Sequence, residues 1–526
     1  MSIEALPNEL LVQIFNHLSW SHLSKDVSLV NRRWYKVVGM ASLTRKTTLN
    51  LSKLGPNWTN NSDDYVCIPL EVLRSSSREY TEFSCSLQPL RKEQMVYGSF
   101  GVVLQYCYDR WNIKSLCLTA YYHQFEVFLI YHKNLLNNVV KANFVVQDIP
   151  LLGETPRDRE TLCERFDLSL EKLQKLDFDH TQFYDHSPPY DIVLKTPNLE
   201  TINIRRCVLK NNVRLELHSC PKLRSLSIFS QKPLCLADIT DPWELDDIVS
   251  QKVPHFTHLK LTNVPIRRTM KTMFRSLRYI YLAYVRIVPT DDVLDCENLT
   301  ELVVHSLLLK KSLKLKVPRL QILNCDMDVL KLLDLQDAFQ ADQLIIDMFY
   351  ESAGRNTEMV NLSGFSHFRR LLLKPNKCYC YDVSWFTYLW SHLLGVVELE
   401  VRGEFPRDPQ ERLQDLLKCF TQISSLRLQR INIPNDLRFL PSNVKTIYIE
   451  DCSVVGSRVQ FSPSVESVRV HRLWNKNEDM RRTFYHMQLQ PANKFQPLLS
   501  MKFIGTPMGR RMAYSSSEER QSGSNR

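Results

Sequence analysis

The chain has 526 residues, of which 44% are apolar and 24% are charged, a composition typical of globular proteins that excludes disorder over most of its length. Its 67 Lys and Arg residues against 57 Asp and Glu give a net charge of +10, far from the excess of a histone-like chain. Because only 13 residues are Gly, the composition also argues against glycine-lined phosphate sites.

The first forty residues predict a small helical unit. Pro7 suits the first turn of a helix, and apolar residues follow it at helical spacing along one side. These residues are Leu10, Leu11, Ile14, Phe15 and Leu18. A second amphipathic stretch has its own apolar side, formed by Leu23, Val27, Val30, Trp34, Val37 and Val38. So small a unit cannot stand alone, and its apolar stripe meets either the first repeat, from about Thr44, or another protein.

A repeat then runs through most of the chain. One apolar residue is followed by a second three positions later and by a third two positions after that. Clear and weaker copies start at or near Lys46, Tyr80, Ile113, Val140, Leu173, Leu199, Leu223, Phe256, Leu277, Leu299, Leu320, Ala341, Phe368, Val396, Ile423, Val444 and Val465. The mean step is about 26 residues, within the period of about 20–29 that is typical of leucine-rich repeats with one strand each.

Each repeat predicts one strand of a parallel sheet. The last two apolar residues lie two apart and share one side of the strand, and stacked repeats make their core continuous. Unrelated buried strands of an α/β fold are the alternative, but they do not explain so regular a step. Helices are predicted between some strands, at 408–420 and 331–340. The predicted fold is α/β, with a helical domain (1–43), a repeat solenoid with a curved sheet and convex helices or loops (44–505), and a disordered polar tail (506–526).

The strand residues between the buried ones predict a concave binding face. Aromatic and cationic side chains, which are enriched at binding hot spots, occur there at candidate substrate-binding positions. These positions are Arg205, Phe229, His258, Lys260, Tyr279, Tyr281 and His305. Runs of Lys and Arg without carboxylates, at 260–286 and 303–321, favour an acidic or phosphorylated protein substrate. The alternative is that these side chains are merely solvated.

The N-terminal residues also match a known pattern. Leu6-Pro7, Glu9-Leu10-Leu11, Ile14-Phe15, Leu18, Leu23, Val30 and Arg33-Trp34 together resemble the F-box, and with the repeats the chain is similar to F-box and leucine-rich-repeat proteins. The resemblance implies a substrate receptor of an SCF ubiquitin ligase, docked on a SKP-type adaptor and reaching cullin and RING subunits indirectly. The residues it implies for adaptor binding are Leu6, Pro7, Leu10, Leu11, Ile14, Phe15, Leu18 and Trp34.

Several other classes of function lack support in the sequence. No CxxC pair, no phosphate loop and no hydrolase or metalloprotease motif is present in the sequence. We therefore expect that the chain is not an enzyme and that it binds no metal and no cofactor. We expect no membrane span and no nucleic-acid partner, because long apolar runs and recognition modules are missing. Without a visible secretory signal, the expected location is the cytoplasm or nucleus. A scaffold that binds the adaptor without driving degradation is the alternative function.

Overall fold

The computed structural model separates the chain into two compact units, Met1–Arg319 and Leu320–Arg526, which are described one by one below. The predicted tail, 506–526, lies outside the described residues. The structure describes residues 3, 6–18, 20–40, 43, 48–50, 67–76, 80–87, 99–147, 165–181, 191–205, 219–229, 243–244, 253–267, 276–288, 293–305, 313–317, 319–330, 333–335, 340–347, 367–374, 392–403, 409–434, 436–454, 458–475, 483–484, 487–489 and 500–502.

The first unit begins with three short helices. They are α1 (Asn8–Phe15), α2 (Trp20–Lys25) and α3 (Arg32–Val38), with a 3₁₀ turn at Val27–Leu29 between the last two. Pro7 directly precedes α1, as its fixed φ allows. The second amphipathic stretch is broken, because Asn31 has an extended backbone and its side-chain Oδ1 caps α3 by accepting from the Trp34 N–H at 2.8 Å.

A compact apolar core holds these helices together. Its fully buried members are Leu11, Phe15, Leu23, Val37, Val38 and Leu43. The Phe15 ring meets the half-buried Trp34 ring edge to face, with 5.1 Å between centroids. Val30, which the sequence places on the same side as these residues, is instead exposed, because the break at Asn31 changes the phase of the helix.

Parallel strands form most of the rest of the first unit. In chain order the strands are β1 (Thr48–Asn50), β2 (Glu82–Ser86), β3 (Ser115–Tyr121), β4 (Lys141–Gln147), β5 (Arg165–Leu168), β6 (Lys175–Thr181), β7 (Asp191–Leu194), β8 (Thr201–Arg205), β9 (Ser225–Phe229), β10 (Trp243–Glu244), β11 (His258–Thr262), β12 (Pro265–Arg267), β13 (Tyr279–Ala283), β14 (Arg286–Val288), β15 (Val293–Asp295), β16 (Glu301–His305) and β17 (Leu313–Lys316). One sheet pairs ten of them in parallel, in the order β1, β2, β3, β4, β6, β8, β9, β11, β13 and β16.

Each strand of this sheet coincides with one predicted copy of the repeat. In β8, for example, Ile202 and Ile204 are buried together with Leu199, the first apolar residue of the copy. Its neighbours Thr201 and Asn203 lie on the opposite side, which we call the open face of the sheet. In-register pairing, such as Ile202 with Leu226 of β9, stacks equivalent residues and makes the core continuous.

The other elements of the first unit connect these strands. Three helices are described between them: α4 (Cys67–Ser75), α5 (Ser99–Arg110) and α6 (Tyr122–Tyr131). A further 3₁₀ turn covers Lys133–Leu136. The short strands form separate small parallel sheets, β5 with β7, β10 with β12 and β14, and β15 with β17. The connections are therefore partly helical and partly extended.

The second unit repeats this construction. Its strands are β18 (Arg319–Asp326), β19 (Leu333–Leu335), β20 (Gln340–Asp347), β21 (Arg370–Lys374), β22 (Glu398–Arg402), β23 (Ser425–Gln429), β24 (Asn432–Ile433), β25 (Asp436–Leu437), β26 (Thr446–Val454), β27 (Arg458–Phe461), β28 (Ser467–Asn475), β29 (Thr483–Phe484), β30 (Met487–Leu489) and β31 (Ser500–Lys502). Seven of these, β18, β20, β21, β22, β23, β26 and β28, pair in that order, with parallel register from β20 onward. Each again coincides with a predicted copy of the repeat.

The helices of the second unit confirm one prediction and correct another. Helix α8 (Pro409–Cys419) lies within the predicted 408–420 helix and buries Leu413 and Leu417. The predicted helix at 331–340 is wrong, because strand β19 occupies 333–335 and β20 begins at 340. The only helix described in this part of the chain, α7 (Met327–Leu330), ends before it.

Antiparallel strands cover the last edge of the second sheet. Both β29 and β30 pair antiparallel with β28 at this edge, whereas β31 pairs antiparallel with β27 in a separate small sheet with β25. Unpaired edge groups on an exposed strand invite pairing with other chains, so this cover protects the end of the sheet.

Candidate functional site

An exposed apolar edge runs along the first helix. Leu10 is 43% exposed and Ile14 40%, and Pro7 is also exposed at the start of the helix. These residues lie at i, i+3 and i+7, which places them on one side of α1. Leu11 and Phe15 point to the other side and fill the core. Helix α1 therefore presents one apolar side to the core and a second one outward.

Arg33 on α3 fixes the start of this edge. Its Nε donates to Asn8 Oδ1 at 2.9 Å, and its Nη2 donates to the carbonyl oxygen of Leu6. These bonds tie the Leu6–Pro7 segment to α3 and so orient it. Leu6, Leu18 and Trp34 are half-buried against the core, between the exposed edge and the fully buried residues.

A second group of exposed apolar side chains lies on and around α3. Leu29 is 79% exposed and Tyr35 67%, and Val30 and Met40 are exposed as well. The sequence analysis did not predict the exposure of Leu29, Tyr35 and Met40, and it placed Val30 on the apolar side of the second helical stretch. The one available signal was the polar Asn31, whose capping preference marks a break between two helices.

The predicted substrate-binding residues lie on the open face of the first unit. His258 and Lys260 come from β11, Tyr279 and Tyr281 from β13, and His305 from β16. The three strands are neighbours, and Lys260 pairs in register with Tyr281. Five residues that are up to 47 positions apart in the chain therefore form one surface.

Contacts between rings and a cation give this surface its geometry. Lys260 Nζ lies 4.6 Å from the centroid of the Tyr281 ring, a cation–π contact. The Tyr281 and His305 rings lie 5.8 Å apart, and so do those of His258 and Tyr279. Burial raises the pKa of Tyr279, and the charges of Glu301 and Tyr281 add to the shift. The phenol therefore stays protonated and can donate a hydrogen bond.

Arg205 and Phe229 extend the surface on two more strands. They are in-register partners at the ends of β8 and β9, and both are exposed. Thr262 of β11 pairs with Phe229 on its other side. All seven predicted residues thus lie on the open face of five consecutive strands.

The open face of the second unit has one cation–π contact, Arg469 with the Tyr448 ring at 5.4 Å, but it is built mainly from charge pairs. Arg370 pairs with Glu398 at 3.1 Å, Arg402 with Glu400 at 2.9 Å, and Arg427 with Glu450 at 2.6 Å. Each of these three arginines thus has a carboxylate partner on the same face. The charge of this part of the face is largely compensated within the protein.

The described residues contain no group of three His, Cys, Asp or Glu side chains that could hold a metal ion. Burial raises the pKa of several thiols, that of Cys107 to about 12 and that of Cys452 to about 11. Such thiols carry almost no thiolate at neutral pH. No described helix is long and apolar enough to cross a membrane.

Comparison with known families bears on the helical unit. Residues 3–50 match the F-box-like family. The N-terminal unit is an F-box-like domain. A comparison with curated proteins finds no match. The F-box-like domain implies a role in binding a SKP-type adaptor, and the parallel repeat sheets that follow it are compatible with leucine-rich repeats.

Proposed function

We propose that this chain is the substrate-recognition subunit of an SCF-type ubiquitin ligase in the cytoplasm or nucleus. Its F-box-like domain docks on a SKP-type adaptor, which links it to cullin and RING subunits. Its repeats, which we identify as leucine-rich repeats, hold a protein substrate. The observation that carries the proposal is the exposed apolar edge of Pro7, Leu10 and Ile14 in a domain of this family.

The chain acts by proximity in this function, and it takes no part in covalent chemistry. Binding adaptor and substrate at once places substrate lysines near the ubiquitin-charged enzyme at a high effective concentration. Stacked repeats suit this task, because within each unit neighbouring repeats fix one another in register.

The exposed and the buried residues of the F-box-like domain have separate roles in the proposal. Pro7, Leu10 and Ile14 contact the adaptor, and each apolar side chain of Leu size gains about 2 kcal/mol when such a contact buries it fully. Leu6 and Leu18 border that contact. The remaining predicted residues, Leu11, Phe15 and Trp34, hold the domain together from its core.

Adaptor binding tests the proposal directly. The double variant Pro7→Ala/Leu10→Ala removes apolar contact area without opening the core, so we expect it to abolish co-purification of the adaptor. The matched control is Val102→Ala/Ile130→Ala, which shortens two exposed apolar side chains on α5 and α6 and should leave binding intact. Undiminished adaptor binding by the first variant would refute the assignment.

Protein turnover separates a working receptor from a scaffold. Depletion of the chain should lengthen the half-life of at least one protein that co-purifies with it when the proteasome is blocked. Re-expression of the wild-type chain should restore turnover, and the Pro7→Ala/Leu10→Ala variant should not. If no bound protein changes its half-life while adaptor binding persists, the chain is a scaffold.

A further inference from the structure

One part of the open face in the first unit carries positive charge at Lys260, whose in-register neighbours are the uncharged Ser227 and Tyr281. Strands β8, β9, β11 and β13 place twelve residues on that face, and none of the twelve is Asp or Glu. We call this area the basic–aromatic patch, and its large side chains are Arg205, Phe229, His258, Lys260, Tyr279 and Tyr281. Carboxylates flank it on both sides, with Asp177 and Asp179 on β6 and Glu301 on β16.

The third residues of the four strands form a row across the patch, and each carries a hydrogen-bond donor. Asn203, Ser227, Lys260 and Tyr281 are in-register neighbours on successive strands. An amide, a hydroxyl, an ammonium and a phenol thus follow one another in steps of about 4.8 Å. Asn203 Nδ2 donates to Asp177 Oδ1 at 2.6 Å, whereas the Lys260 ammonium adds three donors and no acceptor to the row. Donors therefore exceed acceptors around Lys260, which suits an anionic partner there.

The patch differs in this respect from the open face of the second unit. There, Arg370, Arg402 and Arg427 each pair with a carboxylate of the protein itself. Lys260 instead lies over the Tyr281 ring, an arrangement that leaves its donors available to a partner. Arg469 of β28 also lies over a ring, that of Tyr448 at 5.4 Å, but there Glu450 stands on the same face of the neighbouring strand. Charge complementarity therefore points to the first unit and to a partner of negative charge.

The width of the patch and its aromatic rings indicate what kind of negatively charged partner would fit it. Four strands span about 14 Å, which matches about five residues of an extended peptide laid across the strands. Phe229 is 41% exposed, and Tyr279 and Tyr281 are half-exposed, so apolar surface lies beside the cation. A segment with both acidic and apolar side chains would use both features.

We propose that the basic–aromatic patch binds an extended acidic segment of the protein substrate, with a Glu or Asp carboxylate at Lys260 and an apolar side chain against the rings. The inference rests on the proposed function, because it names the class of substrate that the repeats hold. The occupant is a carboxylate-bearing peptide, and a phosphorylated one is an outcome of the test.

Fluorescence polarisation with defined peptides tests the inference. The probe is a labelled ten-residue peptide in which Glu and Leu alternate, and the matched probe has Gln in place of Glu. With the full-length chain bound to its adaptor, we expect the Glu peptide to bind at least tenfold more tightly at low salt. The preference should shrink as salt screens the charges. Equal binding of both peptides would overturn the inference.

Charge reversal locates the site. Lys260→Glu should weaken binding of the Glu peptide at least tenfold, and Lys260→Gln should weaken it less. The matched control is Lys141→Glu, an exposed lysine on the open face of β4, four strands from β11, which should change binding less than twofold. Equal losses from Lys260→Glu and Lys141→Glu would overturn the assignment of the patch.

Two further measurements distinguish a carboxylate from a phosphate partner, and this inference from the proposed function. A peptide with phosphoserine replacing one Glu should bind no more tightly than the Glu peptide, and a tenfold preference for it would overturn the choice of a carboxylate. Adaptor co-purification is measured on the same preparations. A chain that retains the adaptor but ignores the Glu peptide contradicts this inference alone, whereas loss of adaptor binding in the wild-type chain contradicts the proposed function.

Discussion

At the residue scale, a left-handed backbone without glycine occurs at the end of three strands and at a bend within β26 and β28. Asn263, Tyr284, Arg430, Asp451 and Arg472 have φ between 50° and 58°. Each follows the fifth residue of its strand, and the N–H of Arg430, for example, donates to the Glu450 carbonyl of the next repeat at 3.0 Å. The turn directs the following residue into the core, where Ile431 and Cys452 are buried.

Arg430 provides a test of this strain. A left-handed conformation costs an L-residue about 1–2 kcal/mol, whereas Gly adopts it freely but loses more chain entropy on folding. Arg430→Gly should therefore stabilise the chain by about 0.5–1 kcal/mol, visible as a higher melting temperature. Arg430→Ala keeps the strain and should give no increase. Equal melting temperatures for the two variants would contradict the explanation.

Adjacent residues of α1 should respond in opposite ways to truncation. Leu11 is fully buried, so Leu11→Ala should destabilise the F-box-like domain by about 2–5 kcal/mol and lose adaptor binding through unfolding. Leu10→Ala should weaken adaptor binding while the domain stays folded. Limited proteolysis near the N-terminus, alongside adaptor co-purification, distinguishes the two effects. Rapid cleavage of Leu10→Ala would show that Leu10 supports the fold instead.

At the scale of elements, ion pairs across neighbouring strands make the second unit sensitive to acid. The guanidinium of Arg427 on β23 donates to Glu450 on β26 at 2.6 Å and holds the pKa of Glu450 below its ordinary value. A lowered pKa in the folded state means that the pair stabilises the fold at neutral pH. This contribution is lost as the pH falls through the folded-state pKa.

Glu450→Gln should reveal this contribution through its pH dependence. At pH 7 the variant should be less stable than the wild type, by under about 1 kcal/mol because Arg427 is half-exposed. As the pH falls through the lowered pKa of Glu450, the wild-type carboxyl is protonated as well, so the difference should shrink. Thermal melts at pH 7, 5 and 3 measure it. A difference that stays constant with pH would argue against the ion pair as its cause.

The elements that sequence could predict are those with a strict period. All seventeen predicted copies coincide with a paired strand, because alternate burial in strands and a fixed repeat length leave a clear apolar pattern. Short strands such as β10 and β12 escape prediction, since two or three residues carry no period. The helix predicted at 331–340 fails for a related reason, because its apolar residues suit either an amphipathic helix or buried strands.

Long-range contacts of single side chains were also beyond sequence reasoning. Arg110 at the end of α5 donates to the carbonyl oxygens of Leu73 and Arg74 in α4, at 3.0 and 3.1 Å, and its guanidinium lies 5.3 Å from the Trp111 ring. A cation at the end of a helix satisfies carbonyls that lack intrahelical partners. The sequence shows an ordinary arginine, and only the fold brings the second helix within its reach.

At the scale of the whole molecule, the chain combines two surfaces of different chemistry. The edge of α1 offers apolar contact, whereas the basic–aromatic patch offers a cation beside rings. Apolar burial supplies affinity in proportion to area, and charge complementarity supplies selectivity between partners. Two surfaces of such different chemistry suit two different partners, as the proposed receptor function requires.

Transfer by proximity requires that both surfaces belong to one chain. In cells depleted of the protein, Pro7→Ala/Leu10→Ala should hold substrate without adaptor, and Lys260→Glu should hold adaptor without substrate. Neither variant alone should restore substrate turnover, and co-expression of both should also fail, because effective concentration arises only within one molecule. Substrate half-life after a block of protein synthesis is the measurement, with Lys141→Glu as the variant that should restore turnover fully. Rescue by the co-expressed pair would show that the chain acts in a larger assembly with shared surfaces.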